Sequence, residues 1–145
     1  MSGTDPVTDA VLDAARVLVA ISIRAVAVVG NAVTVSQLRV LMLVATRPEV
    51  NVAAVATDLG VHRSNATRVV DRLVRAGLLA RVPDPRDRRR LVLELTDGGR
   101  RLTAAVDDHR RAEIASVLAR VPPEHRAGAE PVFQAFAAAG GEPPG

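Results

Sequence analysis

Residues 59–73 of the chain read Leu-Gly-Val-His-Arg-Ser-Asn-Ala-Thr-Arg-Val-Val-Asp-Arg-Leu, and they are the most informative segment for predicting the fold. Gly60 interrupts a helical pattern, because glycine readily adopts the positive φ that a tight turn between helices requires. The residues after the turn repeat apolar side chains at the i, i+3, i+4, i+7 spacing of an amphipathic helix. These apolar residues are Ala66, Val69, Val70 and Leu73. The stretch predicts two helices joined by a tight turn, the second with one inward face.

Turning that apolar stripe inward, at about 100° per residue, leaves a polar face directed outward. We expect this face to enter the major groove of duplex DNA, where guanidinium, amide and hydroxyl groups match the patterns of base edges. Contact with phosphate is an equal alternative to base reading for any single residue. The predicted recognition-helix residues are His62, Arg63, Ser64, Asn65, Thr67, Arg68 and Arg72.

Two strand-like segments follow, 79–82 and 90–95, on either side of a polar segment rich in Pro, Asp and Arg. They predict a β-hairpin with an arginine-loaded tip. We expect this wing to lie along the minor groove, where a guanidinium meets concentrated negative potential. Asp87 is expected to orient a neighbouring arginine. The predicted wing residues are Arg86, Asp87, Arg88, Arg89 and Arg90, and the alternative is an ordinary solvated turn.

The charge distribution agrees with a polyanionic partner. The 145-residue chain has 19 basic residues, all of them arginine, and 16 acidic residues, so its net charge is +3. Between His62 and Arg90, nine arginines and three acidic residues give a local charge of +6. Such clustering favours binding to a polyanion over a merely solvated charged face. Only two residues are aromatic, Phe133 and Phe136, which argues against single-strand-binding modules that stack bases on aromatic side chains.

The segments outside this region have helical patterns. The segment 7–29 is apolar on almost every side, but acidic residues precede it and Arg24 interrupts it, which excludes a signal peptide and a membrane span. We therefore expect a soluble helix that is buried in a subunit interface. Thr34, Asn51 and Thr96 have the side chains and positions of residues that cap three further helices.

The predicted fold is mainly α with a small β-hairpin wing. Its parts are an N-terminal dimerisation helix at 1–33, a winged helix-turn-helix domain at 34–98, C-terminal dimerisation helices at 99–139 and a disordered tail at 140–145. The predicted dimer interface consists of apolar residues from both flanks, namely Val11, Leu12, Leu18, Ile21, Leu118, Val132, Phe133 and Phe136.

Other chemistry has little support in the sequence. The absence of Cys excludes disulfides, thiolate metal sites and cysteine redox switches. His109 and Glu113 lie one helical turn apart beside Asp108, and a solvated polar face is favoured over part of a zinc site there. Neither a nucleophile with matching His and acid partners nor a glycine-rich phosphate loop is present. We predict no catalytic residues, no metal and no cofactor.

Residues 34–103 resemble the MarR family of winged-helix transcriptional regulators. The pattern Thr34-x-x-Gln37-x-x-Val40-Leu41 resembles the family's helix before the helix-turn-helix, and residues 59–73 resemble the helix-turn-helix itself. Ala76-Gly77-Leu78-Leu79 and Asp84-Pro85-Arg86-Asp87-Arg88-Arg89 resemble its wing, and Leu95-Thr96-x-x-Gly99 resembles the start of its long helix. The resemblance covers about half of the chain, in order and with matching spacing.

The resemblance implies a cytoplasmic, nucleoid-associated homodimer that binds a pseudo-palindromic duplex operator and represses a nearby gene, with no membrane partner. It also implies release of DNA by a small lipophilic or phenolic effector, bound in a crevice between the dimerisation and DNA-binding lobes. The crevice could stack a ligand only on Phe133 or Phe136. The alternative function is a ligand-sequestering or protein-partner dimer on the same scaffold, with weak or vestigial DNA binding.

Overall fold

The structure is a computed structural model that describes residues 3–143. In this part of the chain it contains seven helices: α1 (Pro6–Val28), α2 (Val35–Thr46), α3 (Val52–Leu59), α4 (Arg63–Arg75), α5 (Asp97–Leu118), α6 (Pro123–Arg126) and α7 (Ala129–Ala139). Two strands, β1 (Leu79–Pro83) and β2 (Leu91–Leu95), form an antiparallel hairpin between α4 and α5. The predicted fold class, mainly helical with a hairpin wing, is confirmed.

Side chains cap the helices where the sequence predicts. Thr34 Oγ1 accepts a hydrogen bond from the Gln37 N–H at 3.1 Å, and the Thr34 N–H donates to Gln37 Oε1 at 2.8 Å, which completes a capping box. Asn51 Oδ1 and Thr96 Oγ1 each accept from the backbone N–H three residues later, at 2.8 and 3.0 Å. Because these donors have no partner within a helix, the caps fix the starts of α2, α3 and α5.

The hydrophobic core lies where α2, α3, α4 and the hairpin meet. Ala66, Val70 and Leu73 of α4 are fully buried in it, and Val69 is partly buried. Gly60 ends α3 with a φ of 64°, the left-handed conformation that the turn to α4 requires. The predicted inward face of α4 is therefore confirmed.

Close backbone contacts join the long helix α5 to the hairpin. The Thr96 N–H donates to the Leu78 carbonyl at 3.1 Å, and Thr96 Oγ1 donates to the Gly77 carbonyl at 2.6 Å. A Cβ atom at Gly99 would lie 2.2 Å from the Leu78 carbonyl oxygen, so only glycine fits there without a backbone shift. The helices α3 and α4 together with the hairpin, called the reading head below, are thus attached to the first turn of α5 by a close-packed junction.

The helix α1 packs along α5 and has both a buried and an exposed face. Arg24 of α1 binds Glu113 of α5 through Nε and Nη2, each 2.9 Å from a carboxylate oxygen, and this hydrogen bonding lowers the pKa of Glu113. Ile21 is only 1% exposed within a single protomer, which removes it from the predicted dimer interface. That prediction is corrected because α5 already covers this side of α1. Val11, Leu12 and the other predicted interface residues Leu18, Leu118, Val132, Phe133 and Phe136 are exposed.

An ion pair joins α2 to α3. Arg39 Nε and Nη2 each donate to the Asp58 carboxylate at 2.7 Å, and the Asp58 side chain is only 10% exposed. The hydrogen bonds from Arg39 lower the pKa of Asp58, because they stabilise its charged form. The pair fixes the first helix of the helix-turn-helix to the helix that precedes it.

The chain after α7 is held against α2. The sequence predicts a disordered tail at 140–145, whereas Arg47 Nη2 donates to the Gly141 carbonyl at 2.7 Å and Arg39 Nη2 lies 2.6 Å from Glu142 Oε1. The prediction is corrected for residues 140–143, because composition alone does not show that Arg39 of α2 and Arg47, the residue after α2, bind this turn. Residues 144 and 145 lie outside the described residues.

Asp58→Asn should lower the free energy of unfolding by about 2 kcal/mol near neutral pH, because it removes a charge-assisted hydrogen-bond pair. The folded-state pKa of Asp58 is lowered. The contribution of the Asp58 carboxylate to the free energy of unfolding is therefore complete above the pKa of the unfolded state, about 3.9. This contribution is lost as the pH falls through the lower pKa of the folded state. Urea unfolding at fixed protein concentration, followed by circular dichroism, should show a gap between variant and wild type that narrows below about pH 4.

The matched control is Asp13→Asn, which removes only an exposed pair with Arg16 on α1. It should change the free energy of unfolding by less than about 1 kcal/mol. A gap between Asp58→Asn and wild type that stays the same from neutral to acid pH would contradict the assigned role of the charge.

Candidate nucleic-acid interface

The predicted recognition residues lie on the exposed face of α4 or at its start. Ser64, Asn65, Arg68 and Arg72 are exposed, and Thr67 is half-buried. Thr67 Oγ1 donates to the Arg63 carbonyl at 3.0 Å, so its hydroxyl proton is already used within the helix. Among the described residues, the side chains of Asn65, Arg68 and Arg72 form no hydrogen bond, so their donors and acceptors are free to meet base edges or phosphates.

His62 caps the start of α4. Its Nδ1 accepts a long hydrogen bond, 3.4 Å, from the Ser64 N–H and lies 3.1 Å from Ser64 Oγ. The ring therefore orients the Ser64 hydroxyl at the exposed helix N-terminus. The first turn of α4 combines this N-terminus with the Arg63 side chain, an arrangement that attracts an anion.

Two Asp side chains shape the tip of the wing. Asp84 Oδ1 accepts from the Arg86 N–H at 2.8 Å, and Asp87 Oδ1 accepts from the Arg89 N–H at 3.1 Å, so each forms a local Asx turn. Asp87 Oδ2 also lies 3.9 Å from Arg90 Nε, which is a single long contact and not the bidentate pair with a neighbouring arginine that the sequence suggests. The strand β1 (Leu79–Pro83) ends one residue later than the predicted segment 79–82. The strand β2 (Leu91–Leu95) begins one residue later than the predicted segment 90–95.

The arginines of this region fall into two groups. Arg81 of β1 pairs with Asp71 of α4, and Arg86 Nε lies 3.1 Å from Glu49 Oε1 in the loop before α3. These two guanidinium groups attach the hairpin to the rest of the domain. Among the described residues, the structure shows no ion pair for a second group, which consists of Arg63, Arg68, Arg72, Arg88 and Arg89.

A basic cleft separates the start of α4 from the wing. It has a volume of about 550 Å³ and is lined by Asn51, Val52, Ala53, Arg63, Arg81, Arg89, Arg90 and Leu91. Four guanidinium groups and no acidic side chain line this concavity, so it suits a phosphate backbone. The sequence prediction does not include Arg81 or Asn51, because it assigns function only to the face of α4 and to the hairpin tip. The fold brings Arg81 of β1 and Asn51, the cap of α3, beside the predicted residues.

A second crevice lies on the other side of α2, between α1, α5 and the C-terminal turn. It has a volume of about 380 Å³ and is lined by Ser22, Val35, Leu38, Arg39, Met42, Thr46, Arg110 and Glu142. Apolar side chains of α2 form one wall and guanidinium groups stand at its edge. Neither Phe133 nor Phe136 lines the crevice, so it has no aromatic stacking surface.

The residues considered for a metal have another role. Glu113 is bound by Arg24, and His109 Nε2 lies 3.6 Å from Glu113 Oε1. Within residues 3–143, no group of three or more His, Cys, Asp or Glu side chains converges on one point. The polar side chains here join α1 to α5.

Comparisons with known proteins find a matching family model and several similar proteins. The MarR family model matches residues 33–91. The chain is 42% identical to RV1404 from Mycobacterium tuberculosis, whose crystal structure superposes on 99% of this chain and 98% of that one with a TM-score of 0.86. A MarR family protein from Bacillus stearothermophilus superposes with a TM-score of 0.73 at 22% identity, over 97% of this chain and all of that one.

A curated relative from Bacillus subtilis (strain 168), the uncharacterized HTH-type transcriptional regulator YfiV, is 28% identical over 90 residues. The match covers 62% of this chain and 56% of that protein, so it spans little more than half of the relative.

The division between paired and unpaired arginines predicts different effects on binding to duplex DNA. Arg89→Gln should lower affinity and reduce the slope of log affinity against log salt by about 0.9, the value for one lost phosphate contact. Arg86→Gln, the matched control, should reduce the slope less, because Glu49 already neutralises that guanidinium. Fluorescence anisotropy over a series of salt concentrations measures both slopes, and equal slopes for the two variants would contradict the division.

Proposed function

The chain belongs to the MarR family of transcriptional regulators, and from this premise we propose that it is a homodimeric repressor of transcription that binds a pseudo-palindromic operator in duplex DNA. The observation that carries the proposal is the group of arginines without ion pairs on α4 and on the wing, of which Arg63 and Arg89 line a cleft with no acidic lining. Such a group supports contact with a polyanion of regular shape.

In this proposal, α4 reads the major groove and the wing follows the minor groove. The outward side chains at the start of α4 fit base contacts, since Arg pairs with guanine and Asn with adenine. The phosphate contacts come from the cleft and from Arg72. At the tip, Arg88 and Arg89 have the planar cationic group that a narrow minor groove favours. Two Asx turns fix the backbone of the tip.

The proposed dimer rests on apolar side chains that a single protomer leaves exposed. Val132, Phe133 and Phe136 of α7 are each more than 60% exposed, and α1 exposes a row of Val, Leu and Ile. A second copy that covers both helices would remove this apolar surface from water. Two-fold symmetry would then present two α4 helices, which fits a pseudo-palindromic operator with two half-sites.

The crevice behind α2 supports a small lipophilic or phenolic effector. Val35, Leu38 and Met42 offer an apolar wall, and Arg39 and Arg110 offer donors for an oxygen of the ligand. The crevice lies between helices of the proposed dimer and the helix that supports the reading head. A ligand there would release DNA if it binds better to a conformation in which the two α4 helices no longer match the half-sites.

A cytoplasmic, nucleoid-associated location follows from the proposed binding to DNA. In the part of the chain that the structure describes, no helix has the length and hydropathy to cross a membrane.

A second candidate function is a dimer that sequesters a ligand or binds a protein partner, with weak or vestigial DNA binding. The observation in its favour is the amount of exposed apolar surface on α1, where Val7, Leu12, Val19 and Ile23 are all more than half exposed. Footprinting on the DNA upstream of the protein's own gene separates the two candidates. A protected palindrome favours the repressor, and the absence of protection favours the second function.

The wild-type chain should bind an operator with a sub-micromolar Kd, as specific DNA-binding proteins do. Arg68→Ala should cost about 1–3 kcal/mol of binding free energy and relax base preference at one defined position. Arg101→Ala, on α5 outside the proposed interface, is the control and should bind as the wild type does. Selection from random duplexes followed by sequencing measures the preference. Equal affinity for duplex and single-stranded DNA, without sequence preference, would refute the proposed function.

Phe136→Asp should weaken dimerisation, because it places a charge within the proposed apolar interface. Light scattering at micromolar protein concentration should give a dimer mass for the wild type and a lower mass for the variant. Leu91→Asp, which changes an equally exposed apolar side chain on β2, is the control and should remain a dimer. A monomeric wild type would contradict the proposed dimer.

A further inference from the structure

The turn that ends α7 has a defined conformation. The Gly141 N–H donates to the Ala138 carbonyl and the Glu142 N–H donates to the Ala137 carbonyl, both at 3.0 Å. Gly141 has a φ of +84°, so this is the left-handed Schellman ending for which glycine is favoured. The turn therefore fixes the direction of the residue that follows it, and that residue is Glu142.

Glu142 is directed at the ion pair between α2 and α3. Its Oε1 lies 2.6 Å from Arg39 Nη2, and the same Nη2 donates to Asp58 Oδ1 at 2.7 Å. Arg47 Nη2 donates to the Gly141 carbonyl at 2.7 Å and lies 3.8 Å from both the Asp58 and the Glu142 carboxylates. Two guanidinium groups and two carboxylates thus form one neutral cluster.

The cluster is the anchor of α7 within the protomer. No residue of α7 is buried, so the helix gains little from packing on its own chain. Its end is nevertheless tied to α2 by the backbone of Gly141 and by the side chain of Glu142. The same arginine, Arg39, holds Asp58 of α3, the first helix of the helix-turn-helix. A continuous path of short contacts therefore runs from the helix proposed to form the dimer interface to the reading head.

We propose that Glu142 is a positioning residue for DNA recognition: it ties α7 to Arg39 and Arg47 and so sets the orientation of each reading head relative to the dimer. This inference rests on the proposed function, because it assigns a geometric role within the proposed dimer on DNA. The carboxylate touches no part of the candidate DNA interface. Its effect on DNA is therefore carried by the fixed separation and angle of the two α4 helices.

A dimer whose reading heads are held in one orientation binds best to one spacing between half-sites. If the tie is released, each reading head samples several orientations. Ordering them on DNA then costs conformational entropy, and the dimer discriminates less between spacings. Loss of a merely stabilising surface contact would lower thermal stability without changing the preferred spacing. The spacing preference is therefore the readout that separates the two roles.

The test compares Glu142→Ala with Glu130→Ala in the full-length chain. Glu130 is the matched control, because it lies on α7 and accepts a hydrogen bond only from Gln134 on the same helix. Anisotropy titrations use the operator selected by the wild type and the same operator with one base pair inserted between its half-sites. Glu142→Ala should bind the selected operator about fivefold more weakly than the wild type does. When the operator is lengthened by one base pair, the variant should lose less affinity than the wild type loses.

A second measurement needs no DNA. Since the chain has no Cys, Ala54→Cys on the exposed face of α3 allows one spin label in each protomer. Double electron–electron resonance should give one narrow distance distribution for the labelled wild type and for Glu130→Ala, and a broader one for Glu142→Ala. Light scattering on the same samples establishes that they are dimers.

The outcomes separate the two proposals. A wild-type chain that binds no operator refutes the proposed function. If the wild type binds its operator, but Glu142→Ala retains the wild-type spacing preference and distance distribution, the positioning role is refuted and the proposed function stands. Weaker binding with an unchanged spacing preference also refutes the positioning role, because it shows a contribution to affinity alone.

Discussion

Burial of Ala66, Val70 and Leu73 determines which way α4 faces, and every candidate contact with DNA depends on it. The three side chains lie on one stripe of the helix, so covering them in the core leaves one possible rotation of α4 about its axis. Any other rotation would expose apolar side chains and bury guanidinium groups, at a cost of several kcal/mol. The polar residues in the first two turns of α4 therefore face outward, because the apolar residues between them face the core.

Ion pairs with carboxylates distinguish the arginines of the candidate DNA interface from one another. An arginine next to a carboxylate gives up part of its attraction for a polyanion, and an arginine without one keeps it. In this domain, Arg81 and Arg86 hold the hairpin in place through Asp71 and Glu49. Of the arginines that remain unpaired, Arg63 of α4 and Arg89 of the wing line the basic cleft. Some arginines thus hold the wing in place, and others remain available to bind a phosphate backbone.

The remainder of the chain connects this reading head to a scaffold. At one end, α5 meets the hairpin at Gly99, where a Cβ atom would collide with the Leu78 carbonyl, so the junction is stiff. At the other end, Arg39 joins α2 to α3 and also holds Glu142. The junction at Gly99 is close-packed, and the contacts of Arg39 are short and polar. Each connection therefore has few alternative arrangements. A change in the packing of the flanking helices would therefore alter the position of α4 rather than be absorbed by a flexible linker.

Local sequence features are enough to predict the fold class, the starts of α2, α3 and α5, and the outward face of α4. Thr34, Asn51 and Thr96 cap helices through neighbours three residues away, and the stripe of Ala66, Val70 and Leu73 is periodic along one helix. These are local features, so a reading of neighbouring residues recovers them. The charge of the wing was also readable from the sequence. The Asx turn that Asp87 forms with the Arg89 N–H was not predicted there, although turn chemistry of this kind is local.

The contacts between residues far apart in the chain depend on how whole elements pack. Ile21 has the same character as its exposed neighbours, and it is buried because α5 covers that side of α1. Asp71 pairs with Arg81, Arg86 with Glu49, and Glu142 with Arg39, across 10, 37 and 103 residues of chain. An ion pair between distant residues leaves no periodic pattern, because its geometry depends on how whole elements pack. The sequence thus determined which residues face outward, and the packing of the elements decided which of them keep a free charge.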